Sequence, residues 1–121
     1  MAIKNILVVD DSATERHVIG DILRKRGYEV SFAEDGEQGV ALTRLNKPDL
    51  VIMDVVMPIM NGFQATRAIF SDPETRHIPV ILCTTKDQET DKVWGARQGA
   101  KGYVVKPIKA ADLLGKIAAL G

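Results

Sequence analysis

Three aspartates, a threonine and a lysine close the apolar runs of this sequence. Residues 6–9 end in Asp10-Asp11, residues 50–53 in Asp54, residues 80–83 in Thr84-Thr85 and residues 103–105 in Lys106-Pro107. If those runs are neighbouring strands, three carboxylates, a hydroxyl and an ammonium meet on one rim. Gathered carboxylates repel one another, and a hard divalent cation with oxygen ligands relieves the repulsion. Mg²⁺ suits such a site, because it keeps positions for water and phosphate oxygens. A carboxylate beside that ion is also a nucleophile toward a phosphoryl group. The transferred group needs its oxygens neutralised and its geometry fixed, which Lys106 and Thr84 can supply. Singly, each residue has a plainer reading. Asp10-Asp11 could cap a helix beginning near Ser12, Thr84 could be an ordinary strand-end hydroxyl, and Lys106 could be solvated. Their joint placement favours chemistry.

The elements that must hold these residues are legible in the hydropathy. The four runs are almost purely apolar, as strands buried on both faces are. Residues 28–32 alternate instead (Tyr, Glu, Val, Ser, Phe), as an edge strand does. Between them lie stretches with helical spacing. The stripes are Val18, Ile19, Ile22 and Leu23; Val40, Ala41 and Leu45; Phe63, Thr66, Ile69 and Phe70; and Leu113, Leu114, Ile117 and Ala118. Gly27 stops the first helix, Asn61-Gly62 opens the third, and Asp72-Pro73 breaks the chain before the fourth strand. Strand and helix alternate five times, which predicts an α/β domain with a parallel sheet covered on both faces. Residues 87–97 form the weakest helix, with few apolar anchors and an interior Gly95 costing ~1 kcal/mol relative to alanine. A lightly anchored helix is a candidate moving part.

Composition bounds the rest. The chain has 121 residues, 45% of them apolar and 26% charged, with sixteen basic and sixteen acidic side chains. One domain over residues 1–121 is expected, with no effector domain. The zero net charge argues against a general electrostatic grip on nucleic acid or anionic lipid. No apolar run reaches the ~18 residues of a membrane span, and no signal-peptide pattern opens the chain. A cytoplasmic location follows as the expectation. The lone Cys83 excludes an internal disulfide and reads as a small buried hydrophobe, while His17 and His77 lack metal-site spacing.

Read together, Val8-Val9-Asp10-Asp11-Ser12, Met53-Asp54-Val55-Val56-Met57-Pro58-Ile59-Met60-Asn61-Gly62, Thr84-Thr85 and Gly102-Tyr103-Val104-Val105-Lys106-Pro107 resemble a two-component response-regulator receiver domain. The likeness runs from about Ile6 to the C-terminus. It implies a flavodoxin-like (CheY-like) doubly wound fold of five strands, ordered 2-1-3-4-5, and five helices. It makes Asp54 the phosphoacceptor, and places Mg²⁺ (with Mn²⁺ as a substitute) on Asp10, Asp11, Asp54 and the backbone carbonyl of Val56. Thr84 becomes the hydroxyl switch, Lys106 the phosphate-pairing lysine and Tyr103 the aromatic switch, with Lys106-Pro107 cis. Residues 61–67 and 84–100 are similar to the receivers of twitching motility.

The resemblance implies a CheA-like sensor histidine kinase as phosphodonor, and a surface of helix four, strand five and helix five that changes on phosphorylation. Trp94 is expected to contact the partner there. The chain would then be a signalling protein, not an enzyme with a turned-over substrate. It would act in chemotaxis-like or twitching motility, or as a phosphate sink or phosphorelay intermediate. Val56 and Lys86 are the variable positions two beyond Asp54 and Thr84, and an apolar Val56 predicts slower self-dephosphorylation than Asn would give. Three rivals fit less well. A haloacid-dehalogenase-type phosphatase wants Asp-x-Asp after the first strand, where this chain has Asp10-Asp11-Ser12. A flavin binder would not carry acids in its phosphate loop. A degenerate receiver would not keep usable chemistry at all five site positions.

Overall fold

The computed structural model describes residues 2–120. Its elements alternate as β1 (Asn5–Val9), α1 (Ala13–Lys25), β2 (Glu29–Ala33), α2 (Gly36–Asn46), β3 (Leu50–Met53), α3 (Gly62–Ser71), β4 (Val80–Thr84), α4 (Glu89–Arg97), β5 (Gly102–Val105) and α5 (Ala110–Leu120). The strands form one parallel sheet in the order β2-β1-β3-β4-β5, as the resemblance implied. Register aligns the carboxyl ends: Val9 lies opposite Met53, Met53 opposite Leu82, and Thr84 opposite Val105. The residues that follow those ends therefore share one rim.

Two apolar clusters cover the two sheet faces. Leu7, Val9, Val51, Met53 and Leu82 pack with Ala65 and Ile69 of α3, while Ile6, Val8, Ile52 and Ile81 pack with Ile19, Leu23, Leu113 and Ile117 of α1 and α5. Alternate residues of each central strand serve opposite faces, which is why those runs are continuously apolar. Each such side chain contributes about 1.5–3 kcal/mol on burial.

The structure corrects three details. β5 is an edge strand in which only Val104 is fully buried, so a run of apolar residues here does not mean two covered faces. The α2 stripe is not Val40, Ala41 and Leu45, since Leu45 is 77% exposed. α2 instead buries Gly36, Gly39, Val40 and Thr43. A Cβ on Gly39 would lie 2.9 Å from Val9 Cγ2, so small residues let this helix close on β1. Val18 and Phe70 sit at the exposed margins of their helices, and Ala118 is exposed as well. No helix among the described residues is long and apolar enough to cross a membrane.

Candidate functional site

Asp10 and Asp54 stand one residue beyond adjacent strands, β1 and β3, and both are buried. Their backbones continue the sheet: Asp10 N–H donates to Ala33 O at 3.1 Å and Asp54 N–H to Val9 O at 2.9 Å. Asp11 is exposed at the mouth. One carboxylate oxygen of each of Asp10, Asp11 and Asp54 lies within 4.8 Å of the others. The plainer reading of Asp10-Asp11 as a helix cap fails, because Ser12 is the N-cap of α1 and accepts from Glu15 N–H at 3.3 Å. Asp10 Oδ1 instead takes Ser12 N–H at 2.9 Å, which fixes its carboxylate toward the rim.

Lys106 enters from the end of β5. Its Nζ donates to Asp10 Oδ2 at 2.8 Å and lies 3.6 Å from Asp54 Oδ2 and 3.9 Å from Glu15 Oε2. One ammonium thus faces three acids, with Asp11 as a fourth nearby. Burial pushes the Asp54 carboxyl above the usual aspartate range, and the Asp10 charge pushes the same way. Lys106 and the backbone amides of Val55 and Val56 oppose that shift without cancelling it. Burial alone would lower Lys106, but its hydrogen bond to Asp10 and the charges of Asp54, Asp10 and Glu15 outweigh it and raise its pKa. Acid charge therefore exceeds the lysine's capacity to neutralise it. An all-oxygen donor set with surplus negative charge fits Mg²⁺.

Thr84 is fully buried at the end of β4, where its Oγ1 accepts only a long 3.4 Å bond from Lys86 N–H. Its carbonyl accepts from Lys106 N–H at 2.8 Å, so the backbone at the end of β4 is bonded to that at the end of β5. The Lys106-Pro107 peptide is cis. Tyr103 is half-buried, and its hydroxyl donates to Lys86 O at 2.8 Å, tying the ring to the loop that follows Thr84. Burial, with Asp91 and Asp87 adding to it, pushes this phenol up to about 12, so it stays a donor.

Trp94 is 49% exposed, so it is not a core residue. It does not face β5, however. It lines a groove with Asn61, Phe63, Gln64 and Arg67 on the α3 side, whereas Lys92 and Ala96 are the α4 residues beside Tyr103. Cys83 is buried and its thiol is pushed up to about 12, chiefly by burial, which leaves it unreactive. His17 and His77 are exposed, on α1 and in the loop before β4.

Several residues of the site carried no signal that hydropathy reading detects. Arg16 donates to the Asp10 carbonyl at 2.6 Å and lies 3.7 Å from Glu34, clamping the loop after β1 to the loop after β2. Glu15 and Arg16 look like solvated helix residues in sequence; only their place in the first turn after Ser12 hints at the rim. Gly62 is required by contact, since a Cβ there would meet the Asp54 carbonyl oxygen at 2.0 Å. Ile59 is the apex of a γ-turn closed by Met60 N–H to Pro58 O at 2.8 Å, with φ +70°. A β-branched residue in that region is strained. Ile59 is 80% exposed and Val56, two residues beyond Asp54, is 56% exposed, so both present apolar side chains to solvent.

The sequence and the fold both have counterparts among known proteins. Residues 6–118 match the response regulator receiver domain family. The chain is 57% identical over 115 residues to protein PilH of Pseudomonas aeruginosa, covering 95% of each. It is 39% identical to the response regulator PleD of Caulobacter vibrioides, over 95% of this chain and 25% of that one. The chemotaxis protein CheY4 of Vibrio cholerae superposes with a TM-score of 0.92 at 32% identity, covering 99% of this chain and all of that one. The receiver domain of a sensor histidine kinase from P. aeruginosa, solved with a magnesium ion coordinated in its active-site cleft, gives 0.88 at 31% identity over 98% and 97% of the two chains. By sequence and by fold, the chain belongs to the response regulator receiver domain family.

Proposed function

We propose that Asp54 accepts a phosphoryl group from a phosphohistidine on a CheA-like sensor histidine kinase. The chain would act as a response regulator on a motility target, through the surface formed by α4, β5 and α5. The observation that carries this reading is the charge imbalance at the rim: a buried Asp54 with a raised pKa, beside Asp10 and Asp11, facing one shared lysine. Asp10, Asp11, Asp54 and the Val56 carbonyl would hold Mg²⁺, which when bound neutralises carboxylate and phosphoryl oxygens.

Asp54 attacks phosphorus as the P–N bond breaks, and the electron pair leaves with the donor imidazole. Lys106 is already within ion-pair range of Asp54, so it moves little to meet a phosphoryl oxygen. Thr84 offers a hydroxyl held by only one long bond, free to turn toward the new group. That turn loosens the Lys86 loop to which the Tyr103 hydroxyl is bonded, and so reaches α4 and β5. Val56 shows only carbon to a water approaching the mouth, which supports a long-lived phosphorylated state. Hydrolysis of its own aspartyl phosphate is the only turnover assigned to it. Similarity to PilH supports a place in twitching motility.

Incubation with acetyl phosphate and Mg²⁺, followed by peptide mapping, tests the assignment. The phosphoryl group should appear on Asp54 and vanish in Asp54→Asn or when metal is chelated. Label elsewhere, or an undiminished signal in the variant, refutes it.

A further inference from the structure

The outward face of α4 is apolar at its centre and oppositely charged at its ends. Gly95 is the one buried residue of this helix among those described, and it faces Leu82. Residues step about 100° around a helix, so Val93 and Arg97 point directly away from the sheet. Glu89, Thr90, Val93, Trp94 and Arg97 line one surface groove of about 410 Å³. Val93 is 51% exposed and Trp94 49%, in a helix that otherwise shows solvent only polar groups and Ala96. A half-exposed tryptophan beside an exposed valine is the composition of an interface centre.

The charge pattern selects the occupant. Glu89 lies four residues before Val93 and Arg97 four residues after it. When two such helices meet antiparallel about Val93, each Glu89 faces the other copy's Arg97, and the arrangement is two-fold symmetric. Trp94 of each copy then lies along the Thr90 side of the other. Arg97 makes no ion pair among the described residues, and Glu89 has only an exposed contact to Lys92 at 3.4 Å. The chain carries zero net charge, so no overall repulsion opposes self-contact.

From this pattern we infer that α4 docks onto α4 of a second copy of this chain, antiparallel, with Val93 at the centre. The helix is only about 13 Å long, so the contact falls in the small, transient class of interfaces. The dimer is weak and exchanges rapidly. This inference stands apart from the phosphoryl-transfer reading and uses a face of α4 other than the one beside Tyr103.

Sedimentation velocity of the full chain from 20 µM to 2 mM tests it. The weight-average mass should climb toward the dimer, and emission of Trp94, the sole tryptophan, should shift in parallel. Glu89→Arg and Arg97→Glu each place like charges together twice, and each alone should weaken association at least tenfold. An equimolar mixture of the two variants restores both opposite-charge pairs and should recover association to within about threefold of the parent. Val93→Asp should leave a monomer, with circular dichroism confirming that each variant remains folded. A parent that stays monomeric at 2 mM overturns the inference. So does a dimer indifferent to these substitutions, or a mixture that associates no better than its components.

Discussion

α3 and α4 each follow a strand whose end bears a site residue, α3 after Asp54 and α4 after Thr84, yet they are anchored very differently. α3 buries Gly62, Ala65, Thr66 and Ile69. Its start is locked by a reciprocal pair of bonds between Asn61 and Gln64 at 2.9 and 3.0 Å. α4 buries Gly95 alone, and its Gln88 N–H reaches Asp91 across 3.3 Å. The difference is one of seating. The Asp54 side is anchored firmly enough to hold gathered acids against their mutual repulsion, while the Thr84 side is anchored lightly.

Core truncation gives the largest contrast. Ile69→Ala in α3 should cost about 3 kcal/mol, whereas Val93→Ala in α4 should cost no more than about 0.5 kcal/mol. Gly62→Ala should match or exceed the α3 value, because the new Cβ meets the Asp54 backbone, which has nowhere to go. Denaturant titration measures all three. Native-state hydrogen exchange should also find the α4 amides opening more readily than those of α3. Equal costs or equal protection would break the comparison.

Much of this contrast was legible in the sequence, for definite reasons. β1, β3 and β4 are covered on both faces, so their runs are apolar throughout and end abruptly in the polar residues of the rim. The weakness of α4 was legible because few of its residues are apolar at all. The face of α2 was not, since it closes on the sheet with Gly36, Gly39 and Thr43, where closeness counts and hydropathy is silent. The orientation of Trp94 was illegible too. It depends on the rotation of α4, which Gly95 sets by packing on Leu82. Arg16 and Glu15 reach the site as long polar side chains on a surface helix, a class that sequence reading assigns to solvent.

The rigid side should also store electrostatic cost. Asp54 titrates higher in the folded chain than unfolded, so its favourable contribution exists below about 3.8 and is lost as pH rises through the folded value. Asp54→Asn should therefore be more stable than the parent near neutrality, by on the order of 1–2 kcal/mol. The gap should close as pH falls below that range. Mg²⁺ should raise the parent's melting temperature and have far less effect on Asp11→Asn. Asp49, at the opposite end of the sheet, has the reverse sign. It accepts Asn5 and Lys4 N–H bonds, each 2.9 Å, which hold its pKa below the usual range. Its contribution is present above about 3.8 and lost as pH falls through the depressed value, so Asp49→Asn should destabilise at neutrality and converge with the parent in acid. Thermal scans from pH 3 to 8 separate the two signs; a stability loss in Asp54→Asn at neutral pH would remove the argument for stored repulsion.

A smaller reserve lies in the Asp54-side loop itself. Ile59 is strained at φ +70° but 80% exposed, so Ile59→Gly relieves the backbone and surrenders no core. A gain of about 1 kcal/mol is expected. Unchanged or lowered stability would mean that the side chain has a compensating contact.

The smallest stability change is expected at Gly95, and it is the sharpest test of the contrast between the two helices. Its added Cβ would approach Leu82 Cδ1 to 2.7 Å, the far end of a flexible side chain, with Phe63 and Tyr103 carbons each at 3.5 Å. Alanine gains about 1 kcal/mol of helix propensity over glycine. A rotamer change in Leu82 costs about the same, so Gly95→Ala should leave global stability within about 0.5 kcal/mol of the parent. Its effect should be local: α4 amides exchange more slowly, because the helix loses fewer conformations when it forms. Gly62→Ala and Gly95→Ala add the same methyl to helices flanking the same sheet, and differ in whether backbone or side chain receives it. If Gly95→Ala proved as costly as Gly62→Ala, α4 would be seated as firmly as α3, and its lack of buried side chains would not signify freedom to move.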